Sequence, residues 1–169
     1  DRVVELSELF ERDDVDPEAL QLRLTEAPIV LQLVRIRRPS DHGLTGAAQP
    51  ELFYDYYGFP PASYQIQYPA PGDPALAQTV QQQLQAAGFS AQLDDQRGFD
   101  HGMFIPLKLM YPAANIPVVQ LSLLRSLNPA MHIALGRAIA GLREQNVLIV
   151  GSGMSFHNMN AFFHTADSE

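Results

Sequence analysis

With 169 residues, 46% of them apolar, the chain is long enough for one domain with a substantial core and too short to make two the better reading. A formal net charge of −8, from 19 acidic residues against 11 Lys and Arg, argues against nucleic acid or an anionic membrane as partner, because both are bound chiefly through clustered cations. The absence of cysteine excludes disulfides, thiolate zinc sites and a cysteine nucleophile, so any metal has to be held by His and carboxylates, a ligand set suited to Fe(II), Mn(II) or Zn(II).

Residues 1–26 have the pattern of two short helices. Val3, Leu6, Leu9 and Phe10 form one stripe, and Asp16 with Pro17 is a cap and first-turn pair ahead of Leu20, Leu22 and Leu24. The acidic start lacks the basic-then-apolar pattern of a secretory leader, and no apolar run approaches a membrane span, so the expected compartment is the cytoplasm. Ile29–Val34 is apolar enough for a strand, and Pro39, Gly43, Gly46 and Pro50 then predict an irregular loop over 35–50. His42 stands in that loop beside Asp41 and reads as an ordinary exposed histidine.

Residues 52–71 are dense in aromatic rings, prolines and glycines, the composition of a rigid, irregular segment whose rings either line a pocket or pack over the edge of the core. Asp73 and Pro74 cap and open a helix with Leu76, Val80 and Leu84 on one face, ended by Gly88. Its outer face is mostly Gln and is expected only to cover a sheet, and 89–93 follows as a short strand. Gly98 and Gly102 bracket Asp100 and His101 in a predicted loop, an acid beside an imidazole where a ligand can approach closely, although the same pair occurs in plain turns. Pro106 is expected to start a short helix that Pro112 ends.

A strong strand is predicted over 116–124, then a helix opened by Asn128 and Pro129 with Met131, Leu135, Ile139 and Leu142 on one face and His132 on its surface. The chain returns as a buried strand over 147–150, and this strand, helix, strand order predicts a right-handed parallel crossover whose two strands end on one sheet edge. Gly151 and Gly153 break the last strand, and Ser152, Ser155, His157 and Asn158 follow at its carboxyl end, where open α/β sheets bind ligands. On spacing alone, residues that simply turn the chain explain this cluster equally well.

Seven ordered stretches carry a family pattern: Tyr54-Asp-Tyr-Tyr-Gly-Phe-Pro60, Tyr68-Pro-Ala-Pro-Gly72, Arg97-Gly-Phe-Asp-His-Gly102, Pro106-Leu-Lys-Leu-Met-Tyr-Pro112, Pro117-Val-Val-Gln-Leu-Ser-Leu123, Ala134-Leu-Gly-Arg-Ala138 and Gly151-Ser-Gly-Met-Ser-Phe-His-Asn158. Together they resemble the class III extradiol ring-cleavage dioxygenases, most of all the DOPA 4,5-dioxygenase-like branch of the subunit-B type. The resemblance implies a non-haem Fe(II) enzyme, with Zn(II) as the other metal, that opens a catecholic ring beside its two hydroxyls using O2. By position, His157 matches the family's acid/base histidine and His101 the histidine of its Asp-His-Gly motif near the substrate, which the resemblance makes a hydrogen-bond donor to substrate or to bound superoxide. Asp100, Ser155, Asn158 and Tyr57 are then expected to line the substrate pocket.

The expected fold is α/β, a single-domain three-layer sandwich with a mostly parallel central sheet. Residues 1–44 form a divergent N-terminal segment of helices plus one strand, and 45–169 a partial dioxygenase-like domain. The pattern departs from the family at its metal ligands. Family members carry a Ser-His-Gly and a Gly-His-Trp-Glu motif near the start and a third ligand in a C-terminal segment, whereas here only His42 is a candidate ligand, in a stretch without tryptophan. The expectation is therefore a truncated or rearranged member, weakly active or inactive, that binds Fe(II) or Zn(II) no better than a surface histidine does and self-associates through an exposed sheet edge. Two rival readings stand beside it. One is a non-catalytic Memo-like binding protein on the same fold, and the other a hydrolase using Ser152 or Ser155 with His157.

Overall fold

Short apolar runs become strands in this chain, and amphipathic runs that follow an Asp-Pro or Asn-Pro pair become helices. The computed structural model describes residues 29–34, 42–124, 126 and 128–152. Its elements are β1 (Ile29–Val34), β2 (His42–Thr45), β3 (Leu52–Phe53), a first 3-10 helix (Pro61–Gln65), α1 (Pro74–Ala86), β4 (Ala91–Asp94), β5 (Phe99–Asp100), α2 (His101–Met110), β6 (Val118–Ser122), α3 (Pro129–Ile139), a second 3-10 helix (Ala140–Gln145) and β7 (Val147–Gly151). The helices expected over 1–26 lie outside the described residues.

The result is a mixed α/β domain whose main sheet has the strand order β4-β2-β6-β1-β7. β1 pairs in parallel with β6 and with β7, β2 pairs in parallel with β4, and β2 meets β6 antiparallel at Leu44 and Leu121. The predicted crossover from β6 to β7 is thus present as two parallel strands, with β1 inserted between them. β3 and β5 form a separate two-stranded parallel ladder.

Alternation along the strands sorts the core into two clusters. Val119 and Leu121 of β6 and Val147 of β7 pack with Leu76, Val80 and Leu84 of α1 and Leu135 and Ile139 of α3. Val118 of β6 and Val150 of β7 pack instead with Met103, Phe104 and Leu107 of α2. Gln120 and Ser122, on the same alternation as Val118, are buried polar residues, and the Ser122 hydroxyl accepts the Gly43 N–H at 2.8 Å.

Both predicted caps are present. The Asp73 carboxylate accepts the Leu76 N–H at 2.9 Å, and the Asn128 side chain accepts the Met131 N–H at 3.2 Å, each with proline in the first turn. The glutamine face of α1 does more than cover the sheet, since Gln81 and Gln85 both donate to the Ala91 carbonyl at the start of β4.

Two expectations need correction. Part of the predicted 35–50 loop is strand β2, because its pairing with β4 and β6 outweighs the weak local propensity of His-Gly-Leu-Thr. The helix expected to begin at Pro106 begins at His101, with Pro106 inside it. A proline there forfeits the bond to the Gly102 carbonyl at a cost of about 3 kcal/mol, and full burial of Met103, Phe104 and Leu107 offsets this at about 1.5–3 kcal/mol each.

The ladder between β3 and β5 needs a glycine beside it. A Cβ on Gly98 would lie 2.4 Å from the Glu51 carbonyl oxygen, which accepts the Phe99 N–H at 2.8 Å.

Candidate active site

The aromatic segment after β3 folds back on itself through its own hydroxyls. Tyr54 donates to the Ile66 carbonyl at 2.5 Å and Tyr56 to the Ser63 carbonyl, so two rings are anchored on the 3-10 helix and its end. Edge-on contacts tie the same rings together, with Tyr54 5.8 Å from Phe104 and Tyr56 5.4 Å from Phe59 between centroids. Burial, with Tyr54, Tyr64 and Asp55 close by, holds the Tyr56 phenol above its ordinary value. Between the two anchored tyrosines the chain presents Asp55.

One Asp55 carboxylate oxygen accepts both the backbone N–H of His101 at 3.2 Å and its ring Nδ1–H at 2.6 Å. Asp100 occupies the N-cap position of α2 but its side chain makes no capping bond. Asp55 supplies the anion there instead, where the unpaired amides and the helix dipole favour negative charge. A carboxylate only accepts, so Nδ1 carries the proton and Nε2 of a neutral ring is left as an acceptor. The pair is partly open to solvent, with the His101 side chain 53% and that of Asp55 27% exposed. The Tyr56 ring stands edge-on to the imidazole at 5.7 Å.

Asp100 faces the other way. Only 1% exposed, its carboxylate accepts from Gln120 Nε2 at 2.6 Å and pairs with Arg97 at 2.9 Å. Gln120 Oε1 accepts the Asp100 N–H at 3.4 Å, and the Gln120 backbone N–H donates to the Thr45 hydroxyl at 2.9 Å. Burial pushes the Asp100 carboxyl above its ordinary value, while the Gln120 and Arg97 hydrogen bonds pull the other way. The Arg97 guanidinium lies over the Phe53 ring at 5.4 Å, so this network joins β2, β3, β5 and β6.

The acid against the imidazole is therefore Asp55, not the adjacent Asp100, and neither Asp100 nor His101 lies in a loop. Tyr57, named for the pocket, is 85% exposed, and the ring that contacts His101 is its neighbour Tyr56. His42 opens β2 opposite Ala91, and its side chain is not among those described. His157, Ser155 and Asn158 lie outside the described residues. His132 is half-buried and structural: its Nδ1–H donates to the Asn128 carbonyl at 2.8 Å, and its Nε2 accepts the Leu124 N–H at 3.0 Å. Asp55 stands inside the first of the family stretches, yet nothing local relates it to a helix 46 residues away. The available signal was an acid set between tyrosines in a rigid segment.

Among the described residues no three His, Asp or Glu side chains converge to hold a metal. These residues do not fit a metal centre by themselves, and what they offer is proton handling and ring contacts. Among them, too, no helix is long and apolar enough to cross a membrane.

Residues 39–165 match the family described as the catalytic LigB subunit of aromatic ring-opening dioxygenase. The chain is 49% identical over 120 residues to the dioxygenase tasH of Hapsidospora irregularis, a match covering 70% of this chain and 37% of that protein. It is 48% identical over 111 residues to a 4,5-DOPA dioxygenase extradiol of Beta vulgaris, covering 65% and 41%, and 42% identical over 127 residues to that of Escherichia coli strain K12, covering 75% and 46%. The chain thus spans less than half the length of these relatives. Among solved structures, an uncharacterized protein from Escherichia coli K12 superposes with a TM-score of 0.61 at 33% identity, over 88% of this chain and 57% of that one.

Proposed function

This chain belongs to the family of the catalytic LigB subunit of aromatic ring-opening dioxygenases, and from that premise we propose that it serves extradiol cleavage of a catecholic ring by O2. In that reaction the carbon–carbon bond beside the two hydroxyls breaks and both oxygen atoms enter the product, so no external reductant is consumed. Fe(II) is the proposed metal of the whole protein, with Zn(II) as the alternative. Helices α1 and α3 against one set of strand residues and α2 against the other support a three-layer sandwich around a mostly parallel sheet as the scaffold.

The observation that carries the reading is the Asp55–His101 pair, a carboxylate-bound imidazole open to solvent beside a ring. His101 is assigned contact with a substrate hydroxyl through Nε2. His157 is assigned acid/base work, since an imidazole with an unperturbed pKa of about 6.5 both accepts and returns a phenolic proton near neutral pH. Asp100 is assigned the support beneath His101, and Tyr57, Ser155 and Asn158 the rim of the pocket.

Titration of the chain with catechol, followed by NMR of the His101 ring, tests the reading. Saturable shifts, with a catechol affinity by calorimetry that falls in His101→Ala, support it, and no saturable shift overturns it. Anaerobic loading with Fe(II) and readmission of O2 then divides the outcomes: catechol-dependent O2 uptake that is lost in His157→Ala supports a dioxygenase. Stoichiometric Fe(II) binding together with catechol binding and no uptake favours the non-catalytic, Memo-like alternative.

A further inference from the structure

We infer that Asp55 is a positioning residue that holds His101 as its Nδ1–H tautomer, so that Nε2 is presented to a substrate hydroxyl as a proton acceptor. The inference rests on the reading above for the substrate and on geometry for the rest.

Three observations carry it. First, the 2.6 Å separation between Asp55 Oδ1 and His101 Nδ1 is that of a charge-assisted hydrogen bond, and the same oxygen also takes the His101 backbone amide at 3.2 Å. Imidazole and backbone are thus referenced to a single atom, which fixes ring direction as well as tautomer. Second, Asp55 is itself held from both sides, by Tyr54 on Ile66 and Tyr56 on Ser63, so the carboxylate is not a mobile surface group. Third, the acid next to His101 in sequence is committed elsewhere: Asp100 is locked to Arg97 and Gln120 and makes no bond to the ring. No other described carboxylate is placed against the imidazole.

The chemical consequence concerns one proton. A catechol O–H at Nε2 would pass its proton to the ring, leaving a catecholate and an imidazolium whose Nδ1–H remains on Asp55. The negative charge of Asp55 stabilises that imidazolium. A His101 in the opposite tautomer would present an N–H to the hydroxyl and could not accept its proton.

The test uses the full chain with ¹⁵N-labelled histidine, at a pH well above the ordinary imidazole range, and compares it with Asp55→Asn and Asp55→Glu. The expected result is an Nδ1–H signature for His101 in the unsubstituted chain. Its population should fall in Asp55→Asn, where the amide offers a neutral oxygen or a competing donor, and return in Asp55→Glu. Catechol affinity is expected to fall about tenfold in Asp55→Asn, the scale of one oriented charge-assisted hydrogen bond, and to recover in Asp55→Glu. An Nε2–H tautomer in the unsubstituted chain, or a tautomer unchanged in Asp55→Asn, overturns the inference and leaves the functional reading standing. A shifted tautomer with unchanged catechol affinity overturns the positioning role. Absence of catechol binding by the unsubstituted chain overturns the functional reading, a result separable from the tautomer measurement.

Discussion

Asp55 and His101 stand 46 residues apart, yet one oxygen of the first receives both the backbone and the ring N–H of the second. The carboxylate therefore caps a helix from a distant segment. Asp55→Ala removes that cap and is expected to cost about 1 kcal/mol, with the half-exposed contact to the ring adding little. Urea unfolding checks this: the midpoint should fall with an unchanged slope, and an unmoved midpoint would show that α2 does not depend on the distant cap.

Asp100 should be the more costly acid to remove. Asp100→Ala leaves the Arg97 guanidinium and Gln120 amide without their buried acceptor and is expected to destabilise by about 3–5 kcal/mol, the scale of a broken buried pair. Because the folded carboxyl is raised above 3.8 chiefly by burial, the folded state holds this proton at higher pH than the unfolded state does. Its contribution is complete below the unfolded value and is lost as pH rises through the folded one. Asp100→Asn should flatten that part of the stability profile in acid, and denaturation at several pH values reads the difference in slope.

Tyr68 and Tyr111 should resist alkali. Both are nearly buried, the Tyr68 hydroxyl donates to the Tyr111 carbonyl at 3.0 Å, and burial pushes each phenol up to about 12. Their share of stability is present below pH 10 and disappears as pH rises through the folded value. In an ultraviolet titration, two of the six tyrosines should stay protonated beyond pH 11 unless the protein unfolds first. Tyr68→Phe should remove one of the late titrations and cost about 1 kcal/mol for the lost hydrogen bond.

Gly98→Ala drives a methyl group to 2.4 Å from the Glu51 carbonyl and must part β3 from β5. The expected loss is about 1–3 kcal/mol, the cost of overpacking against backbone that cannot swing aside. Amide exchange at Phe99, whose N–H bonds the Glu51 carbonyl, should accelerate in the variant, and unchanged protection there would contradict the account.

What was legible in the sequence was what local chemistry decides. Asp73-Pro74 and Asn128-Pro129 announce their helices because cap and first turn are contiguous, and Ile29–Val34 and 147–150 announce strands because β-favouring side chains are adjacent. The start of α2 was hidden because its capping oxygen comes from Asp55, and β2 because pairing with β4 and β6 decides its state. Of the candidate site, the Asp-His-Gly motif singles out His101 but not the acid it bonds, because an extended-to-helical step sends Asp100 and His101 in opposite directions, one into the core and one to the surface.

The position of β1 sets how this protein must fold. Val30 is paired on one side with Val118 and on the other with Leu148, so this interior strand depends on contacts closing loops of about 90 and about 120 residues. Such closures are slow relative to local helix formation, and α1 and α3 are expected to be present before the sheet is. During synthesis, β1 leaves the ribosome long before either neighbour exists and waits as an unpaired apolar strand, Ile-Val-Leu-Gln-Leu-Val, of the kind that associates between chains. Yield on refolding should therefore fall steeply with protein concentration, because competition for β1 is settled by whichever partner, internal or foreign, arrives first.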